Sequence, residues 1–225
     1  MGVSRIVSFP AAPGRLRPID AAQRLTLRER GGVLEILAGN VLLLSSAALE
    51  TERSFGRLAA SMGSRPPRRV LVGGLGFGAT LRGVLDVAAG DARVVVAEKM
   101  PAVVDLVRGE LAHLADHPLD DARVAVECAD VADVVAASRD LDAILLDVDN
   151  GPHWATFRSN ARLYGPAGLA SGLRALAPLG ALAVWSGYPA VAFAARLREA
   201  GFVPSIVPLR ERGRVRARAY VGTKR

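Results

Sequence analysis

The stretch Arg69-Val-Leu-Val-Gly-Gly-Leu-Gly-Phe-Gly-Ala-Thr-Leu-Arg82 decides how the rest of the chain is read. Val70 to Val72 is a short aliphatic run, closed by prolines on one side and glycines on the other, and it predicts a buried strand. Gly73, Gly74, Gly76 and Gly78 predict a turn, and Thr80 to Leu85 predicts the opening of a helix. A strand, a glycine turn and a helix start let backbone come close to a nucleotide. Glycines remove the Cβ atoms that would stand in the way, and the first helical N–H groups point toward an anion.

Glycine turns are common, so the neighbouring strands must support the reading. A second strand, Ala92 to Ala97, ends at Glu98, about 20 residues past the last glycine, where a dinucleotide-type fold places the carboxylate that accepts ribose hydroxyls. A third strand, Val124 to Glu127, leads to Asp130. A fourth, Ala143 to Leu146, leads to Asp147 and Asp149. Three successive strands thus end in acids on one sheet edge, the carboxyl edge at which open parallel sheets bind ligands.

The chain has 225 residues, of which 51% are hydrophobic and only 5% aromatic, so aliphatic packing must fill the core. One cysteine, Cys128, excludes an internal disulfide and reads as a small core residue. Apolar runs fall short of the length a membrane span needs, and the first residues lack a secretory pattern, so the expectation is a cytoplasmic protein without membrane attachment. The net charge of +7 attracts anions but does not by itself point to nucleic acid.

Before the glycine turn, residues 1 to 20 carry Pro10, Pro13 and Pro18 and predict an extended arm. Arg24 to Glu29, Val33 to Leu37 and Val41 to Leu44, joined by glycine turns, predict a three-stranded meander. Ala47 to Met62 predicts a helix, and Gly63-Ser-Arg-Pro-Pro67 ends it. The domain division expected is therefore 1–64 and 65–225. Beyond it, alternating strands and helices predict an α/β fold with a doubly wound, mostly parallel sheet. Residues 201–207 and 215–221 predict a closing antiparallel pair. Arg210, Arg212, Arg214, Arg216 and Arg218 fall on every second residue, with Gly213 breaking the row. Their surroundings include little aromatic surface, which makes nucleic acid an unfavoured partner.

From about Leu25 to the C-terminus the chain resembles the spermidine synthase family, aminopropyltransferases built on the class I S-adenosylmethionine-dependent methyltransferase fold with a small N-terminal β-meander. The resemblance rests on Thr51-Glu-Arg53 after the meander and on Gly74-Leu-Gly-Phe-Gly-Ala-Thr-Leu-Arg82. It also rests on Glu98, Ala129-Asp130, Asp147-Val-Asp-Asn-Gly-Pro152 and Asn160-Ala-Arg-Leu-Tyr-Gly165. It implies that Gly74, Gly76 and Gly78 line the tail of an adenosyl cofactor and that Glu98 holds its ribose. Asp130 takes the adenine amine, with Val131 beside the ring. Asp147 is implied as the acid that deprotonates or orients an amine, and Asp149 as a second acid that attracts a cation. Three features depart from the family. Phe77 stands where an aspartate holds the amine end of the decarboxylated cofactor, the acid loop is short, and Gly56-Arg-Leu58 replaces a Tyr-His-Glu type segment.

Three functions follow from this pattern: methyl transfer from S-adenosylmethionine to a small acceptor, aminopropyl transfer from decarboxylated S-adenosylmethionine to a diamine, and a silent nucleoside- or RNA-binding protein. A small molecule, with an amine the best suited, is the partner expected, and the meander offers strands for a homodimer. Tyr164 and Tyr188 are candidates to line the acceptor pocket, with His153 and Trp154 following the acid loop. His113 and His117 flank Asp116, but Pro118 and a helix C-terminus explain their placement better than a metal, and no metal site is expected.

Overall fold

The computed structural model describes residues 15–20, 24–148, 152 and 158–225. Asp149, His153 and Trp154 lie outside these residues. The chain divides into two compact units, the first ending at Ala47 and the second running Ala48–Arg225.

In the first unit, β1 (Arg15–Asp20), β2 (Leu25–Arg30), β3 (Val33–Ala38) and β4 (Val41–Ser45) pair in order as an antiparallel sheet. The meander thus has four strands. The first comes from the stretch whose prolines read as an extended arm. Pro18 is tolerated because β1 is an edge strand, and the register shifts between Pro18 and Asp20. Gly31 and Gly32, with φ of 56° and 77°, supply the left-handed turn between β2 and β3.

The second unit opens with α1 (Leu49–Arg57), followed by β5 (Arg69–Gly73), α2 (Ala79–Leu85), β6 (Arg93–Ala97), α3 (Pro101–Arg108) and β7 (Val124–Glu127). It continues through α4 (Val131–Ala137), β8 (Leu141–Leu146), α5 (Pro166–Ala175), β9 (Leu176–Ser186) and α6 (Val191–Glu199) to the hairpin β10 (Val203–Glu211) and β11 (Arg214–Thr223). The sheet order is β10-β11-β9-β8-β5-β6-β7, parallel from β9 to β7 and antiparallel at β11 and β10. Strand order reverses between β5 and β8, and that switch point opens a crevice at their carboxyl ends.

Near-continuous apolar strands fit a sheet covered on both faces. On one face Leu71, Ile144, Leu146, Val184 and Tyr220 pack with Phe193 of α6 and with α4 and α5. The α1 helix packs on α2 and joins the larger unit, which is why the division falls before it and not at residue 64. The two helices meet at glycines. A Cβ on Gly56 would lie 2.1 Å from the Thr80 carbonyl oxygen, and one on Gly83 would lie 2.1 Å from that of Arg53. Gly56, one of the departures from the family pattern, is therefore required by packing. Beside the crossing, Asp86 accepts hydrogen bonds from Arg53, Arg57 and Arg82.

At the far edge, β10 carries Pro204 and Pro208, which remove donors and discourage pairing with further strands. The arginine row turns at Arg212 and Gly213, with φ of 48° and 77°, leaving Arg214, Arg216 and Arg218 on one strand.

The crossing gives a direct prediction. Gly56→Ala should destabilise the protein by roughly 1–3 kcal/mol, because backbone must move to admit the methyl group. Gly90→Ala, where an added Cβ meets nothing within 4 Å, should be close to neutral. Urea midpoints of the two variants check the difference.

Candidate functional site

The glycine turn takes the conformation its residues allow and few others would. Gly74, Gly76 and Gly78 have φ of 87°, 54° and 88°. At Gly74 there is a second reason for glycine: a Cβ would lie 2.3 Å from the Asp147 carbonyl oxygen. The Asp147 N–H in turn donates to the Gly73 carbonyl at 2.8 Å. The turn and Asp147, the first residue of the acid loop, are thus locked together at the switch point. Phe77 turns inward and is only 1% exposed, so it fills the core instead of facing a cofactor tail.

Glu98 stands at the carboxyl end of β6 and is 6% exposed. One carboxylate oxygen accepts the Leu75 N–H at 2.9 Å and the other accepts the Met100 N–H at 2.8 Å. Burial raises its pKa, and the amides of Leu75, Met100 and Lys99 partly offset the rise. Each oxygen keeps a second lone pair. A pair of adjacent hydroxyls fits this capacity, and the Leu75 bond ties the acid to the glycine turn. These residues accordingly fit an adenosyl group.

Asp130 caps α4 by accepting the Ala132 N–H at 3.0 Å. Arg162 lies 2.8 Å from the same oxygen, and Lys99 lies 3.5 Å from the other. Burial works to raise its pKa, but Arg162, the Ala132 amide and Lys99 outweigh that effect and lower it. Val131 is buried, and a Cβ on Gly73 would come within 2.7 Å of its side chain. It packs over β5 at the floor of the crevice.

Asp147 follows β8 and points to the face of the sheet opposite Leu146. Its Oδ2 lies 2.5 Å from the Thr80 hydroxyl of α2, and that hydroxyl is also 3.3 Å from the Glu52 carbonyl. Burial lifts the Asp147 carboxyl from 3.8 to about 6, against a partial offset from Thr80. The Glu52 carboxyl is lifted well above its ordinary range by burial and by the Asp147 charge. Two carboxyls that feel each other's charge cannot both ionise cheaply, so Glu52 is harder to ionise while Asp147 is charged. Sequence reading placed Glu52 in a motif without giving it a task. Its signal was the acid in Thr51-Glu-Arg53, and the partner became visible only when α1 crossed α2.

Other candidates fall elsewhere. Tyr164 is buried, its ring edge-on to Phe193 at 6.0 Å in the core beneath α6, so it belongs to packing and not to a pocket wall. Tyr188 is exposed. Cys128 is exposed and not a core residue, because β7 is an edge strand whose end leaves the sheet. Asp116 pairs with Arg53, and His113 Nδ1 lies 2.9 Å from the Glu110 carbonyl. Among the described residues, no cluster of three His, Cys, Asp or Glu side chains forms a metal-binding group. No helix there is long and apolar enough to cross a membrane.

No family profile matches the sequence, and no curated protein matches it. Solved structures do. The spermidine synthase of Thermotoga maritima aligns with a TM-score of 0.69 at 17% identity, covering 88% of this chain and 68% of that one. The chain has the spermidine synthase-like methyltransferase fold. A spermidine synthase crystallised with the transition state analogue AdoDATO aligns at 0.68 and 16% identity, covering 89% of this chain and 68% of the other. A methyltransferase from Geobacter sulfurreducens aligns at 0.56 and 22% identity, covering 78% and 80%. The likeness to both kinds of transferase is one of fold.

The raised pKa of Asp147 has a consequence for stability. A carboxyl with a folded pKa above its unfolded value stabilises the fold fully below the unfolded value, and that contribution is lost as pH rises through about 6. Asp147→Asn, always neutral, should therefore be more stable than the parent at pH 8, by on the order of 1–2 kcal/mol. The difference should shrink toward pH 4. Thermal melts of both proteins across that range test the sign.

Proposed function

We propose that the chain is a transferase of the S-adenosylmethionine type, acting by methyl transfer to a small acceptor, with Asp147 as the base or orienting acid. The observation that carries this reading is the Asp147 carboxyl, held by the Thr80 hydroxyl beside the left-handed glycine turn at the switch point and close enough to act on the charge of Glu52. An adenosyl sulfonium, when bound, supplies a carbon already activated by positive sulfur, so the protein has no nucleophile to provide.

The chain's own residues then bind, orient and move a proton. Gly74, Gly76 and Gly78 would hold the tail, Glu98 the ribose hydroxyls, and Asp130 the adenine amine above Val131. The Asp147 carboxyl, near 6, is matched to accepting a proton from an amine at neutral pH. Thr80 fixes that carboxyl in place. Asp149, just beyond Asp147 in the acid loop, is proposed to attract the cationic end of the acceptor.

Methyl transfer is preferred because the glycine turn carries no acid. Phe77 occupies the position of the family's aspartate and is buried, so nothing there repels a carboxylated cofactor or captures the amine of a decarboxylated one. Aminopropyl transfer to a diamine is the second reading, favoured by the extent of the likeness to the spermidine synthases. Calorimetry with the two nucleosides separates them: tighter binding of decarboxylated S-adenosylmethionine would reject the methyl reading.

Two substitutions test the residue roles. Glu98→Ala should weaken nucleoside affinity about tenfold or more, since a hydrogen bond to a charged group contributes roughly 1.5–3 kcal/mol. Asp147→Asn should keep that affinity while lowering turnover by about a hundredfold or more. Wild-type turnover in Asp147→Asn would remove it from catalysis.

A further inference from the structure

The carboxyl edge holds one more polar group that the proposed reaction leaves without a task. The register that sets Leu145 beside Ala183 and Leu146 beside Val184 carries Asp147 alongside Trp185 at the end of β9. Leu146 and Val184 share the core under α4–α6, so Asp147 and Trp185 both project to the opposite face. That is the face on which the Thr80 hydroxyl meets both Asp147 and the Glu52 backbone carbonyl. Trp185 is 8% exposed, and its indole nitrogen is the buried side-chain polar atom without a hydrogen-bond partner among the described residues. The far edge of its ring is set by Gly187, where an added Cβ would lie 3.3 Å from Cη2.

An indole N–H can only donate. Buried unpaired donors are rare in native proteins because desolvation is not repaid, and each calls for a reason. Here the donor belongs to the residue that the strand register sets across from Asp147, the acid proposed to face the acceptor. We propose that Trp185 Nε1–H donates to an oxygen of the acceptor substrate, and that this acceptor is an amine bearing a neutral oxygen a few bonds from the nitrogen, as in an amino alcohol or an amino amide. This rests on the transferase reading, with Asp147 facing the acceptor.

The two neighbours select opposite ends of such a molecule. The carboxyls of Asp147 and Glu52 attract a nitrogen that is cationic on arrival. Trp185 offers only a donor, so it requires an acceptor atom. A protonated diamine has donors at both ends and would leave the indole unpaired. A carboxylate oxygen would satisfy the indole but would meet the repulsion of the acidic pair. A hydroxyl or carbonyl oxygen satisfies both neighbours. The site therefore discriminates against diamines by leaving a buried polar group unpaired, which rejects an analogue more strongly than a change in apolar bulk does.

The test compares 3-aminopropan-1-ol with 1,3-diaminopropane, molecules of equal length that differ at one end. Both are titrated into the protein saturated with S-adenosylmethionine's product thioether. Affinity is read by calorimetry. The indole 15N–1H resonance of Trp185 is assigned by its loss in Trp185→Phe and followed in the wild-type protein. The expected result is at least about tenfold tighter binding of the amino alcohol, with displacement of the Trp185 indole signal by that ligand alone. In Trp185→Phe the preference should fall to near unity. Equal affinity for the two amines, an unmoved indole signal, or a preference that survives in Trp185→Phe would overturn the proposal. The chain has two tryptophans, so Trp154→Phe, which leaves Trp185 as the single indole, gives the same assignment and decides the matter even if Trp185→Phe folds poorly. Failure here is distinct from failure of the transferase reading. The latter shows as absent nucleoside binding or as turnover indifferent to Asp147→Asn, whereas the Trp185 proposal can fail with both of those intact.

Discussion

The close approach of Gly74 to the backbone of Asp147 is the constraint on which the site depends. Both residues leave the sheet at the point where strand order reverses, and only a glycine lets the two chain segments touch. The contact fixes the turn against the acid loop. It also sets the distance from Thr80, six residues on, to the Asp147 carboxyl. The chemistry then follows from geometry already imposed by the sheet. A carboxyl is carried into a half-buried position, a hydroxyl holds it, and a second carboxyl arrives from α1. Burial and the second carboxyl raise the cost of ionisation, the hydroxyl offsets part of it, and a carboxyl that is hard to ionise can serve as a proton acceptor near neutral pH.

Glu98 shows the same economy in another form. Its carboxylate is enclosed, and backbone amides supply the donors that keep it tolerable. One amide belongs to Leu75 within the glycine turn and the other to Met100 ahead of α3. The acid therefore organises two loops as well as facing the crevice. Asp130 differs: cations from Lys99 and Arg162 surround it. The edge thus presents a poorly ionised pair at β8, a backbone-held acid at β6 and a cation-paired acid after β7.

Much of this was legible because glycine and acid positions carry strong local information. The left-handed turn at Gly74, Gly76 and Gly78 could be read directly, since few other residues tolerate those angles. The strand ends at Glu98, Asp130 and Asp147 followed from apolar runs that stop abruptly. What escaped reading depends on tertiary contact. Pro18 argued against β1, but an edge strand accepts proline. Phe77 read as a replaced binding residue, yet it is a core side chain, because inward and outward positions in a turn cannot be told from spacing. Gly56 read as a lost functional residue and proved to be a helix crossing. Glu52 lay in a readable motif but its partner did not, and Trp185 carried no local signal, since their meaning comes from strands and helices distant in the chain.

The hairpin at the end of the fold bears on how the sheet is assembled. β11 lies between β9 and β10, although β10 precedes it in the chain. The strand that forms the outer border reaches the sheet only through the later strand, whether the hairpin closes before or after it docks. Until then β9, one of the most apolar strands in the protein, presents an open row of backbone donors and acceptors. The prolines of β10 guard the finished border and give that intermediate no protection. Self-association during synthesis or refolding is therefore a hazard of the interval before β11 pairs.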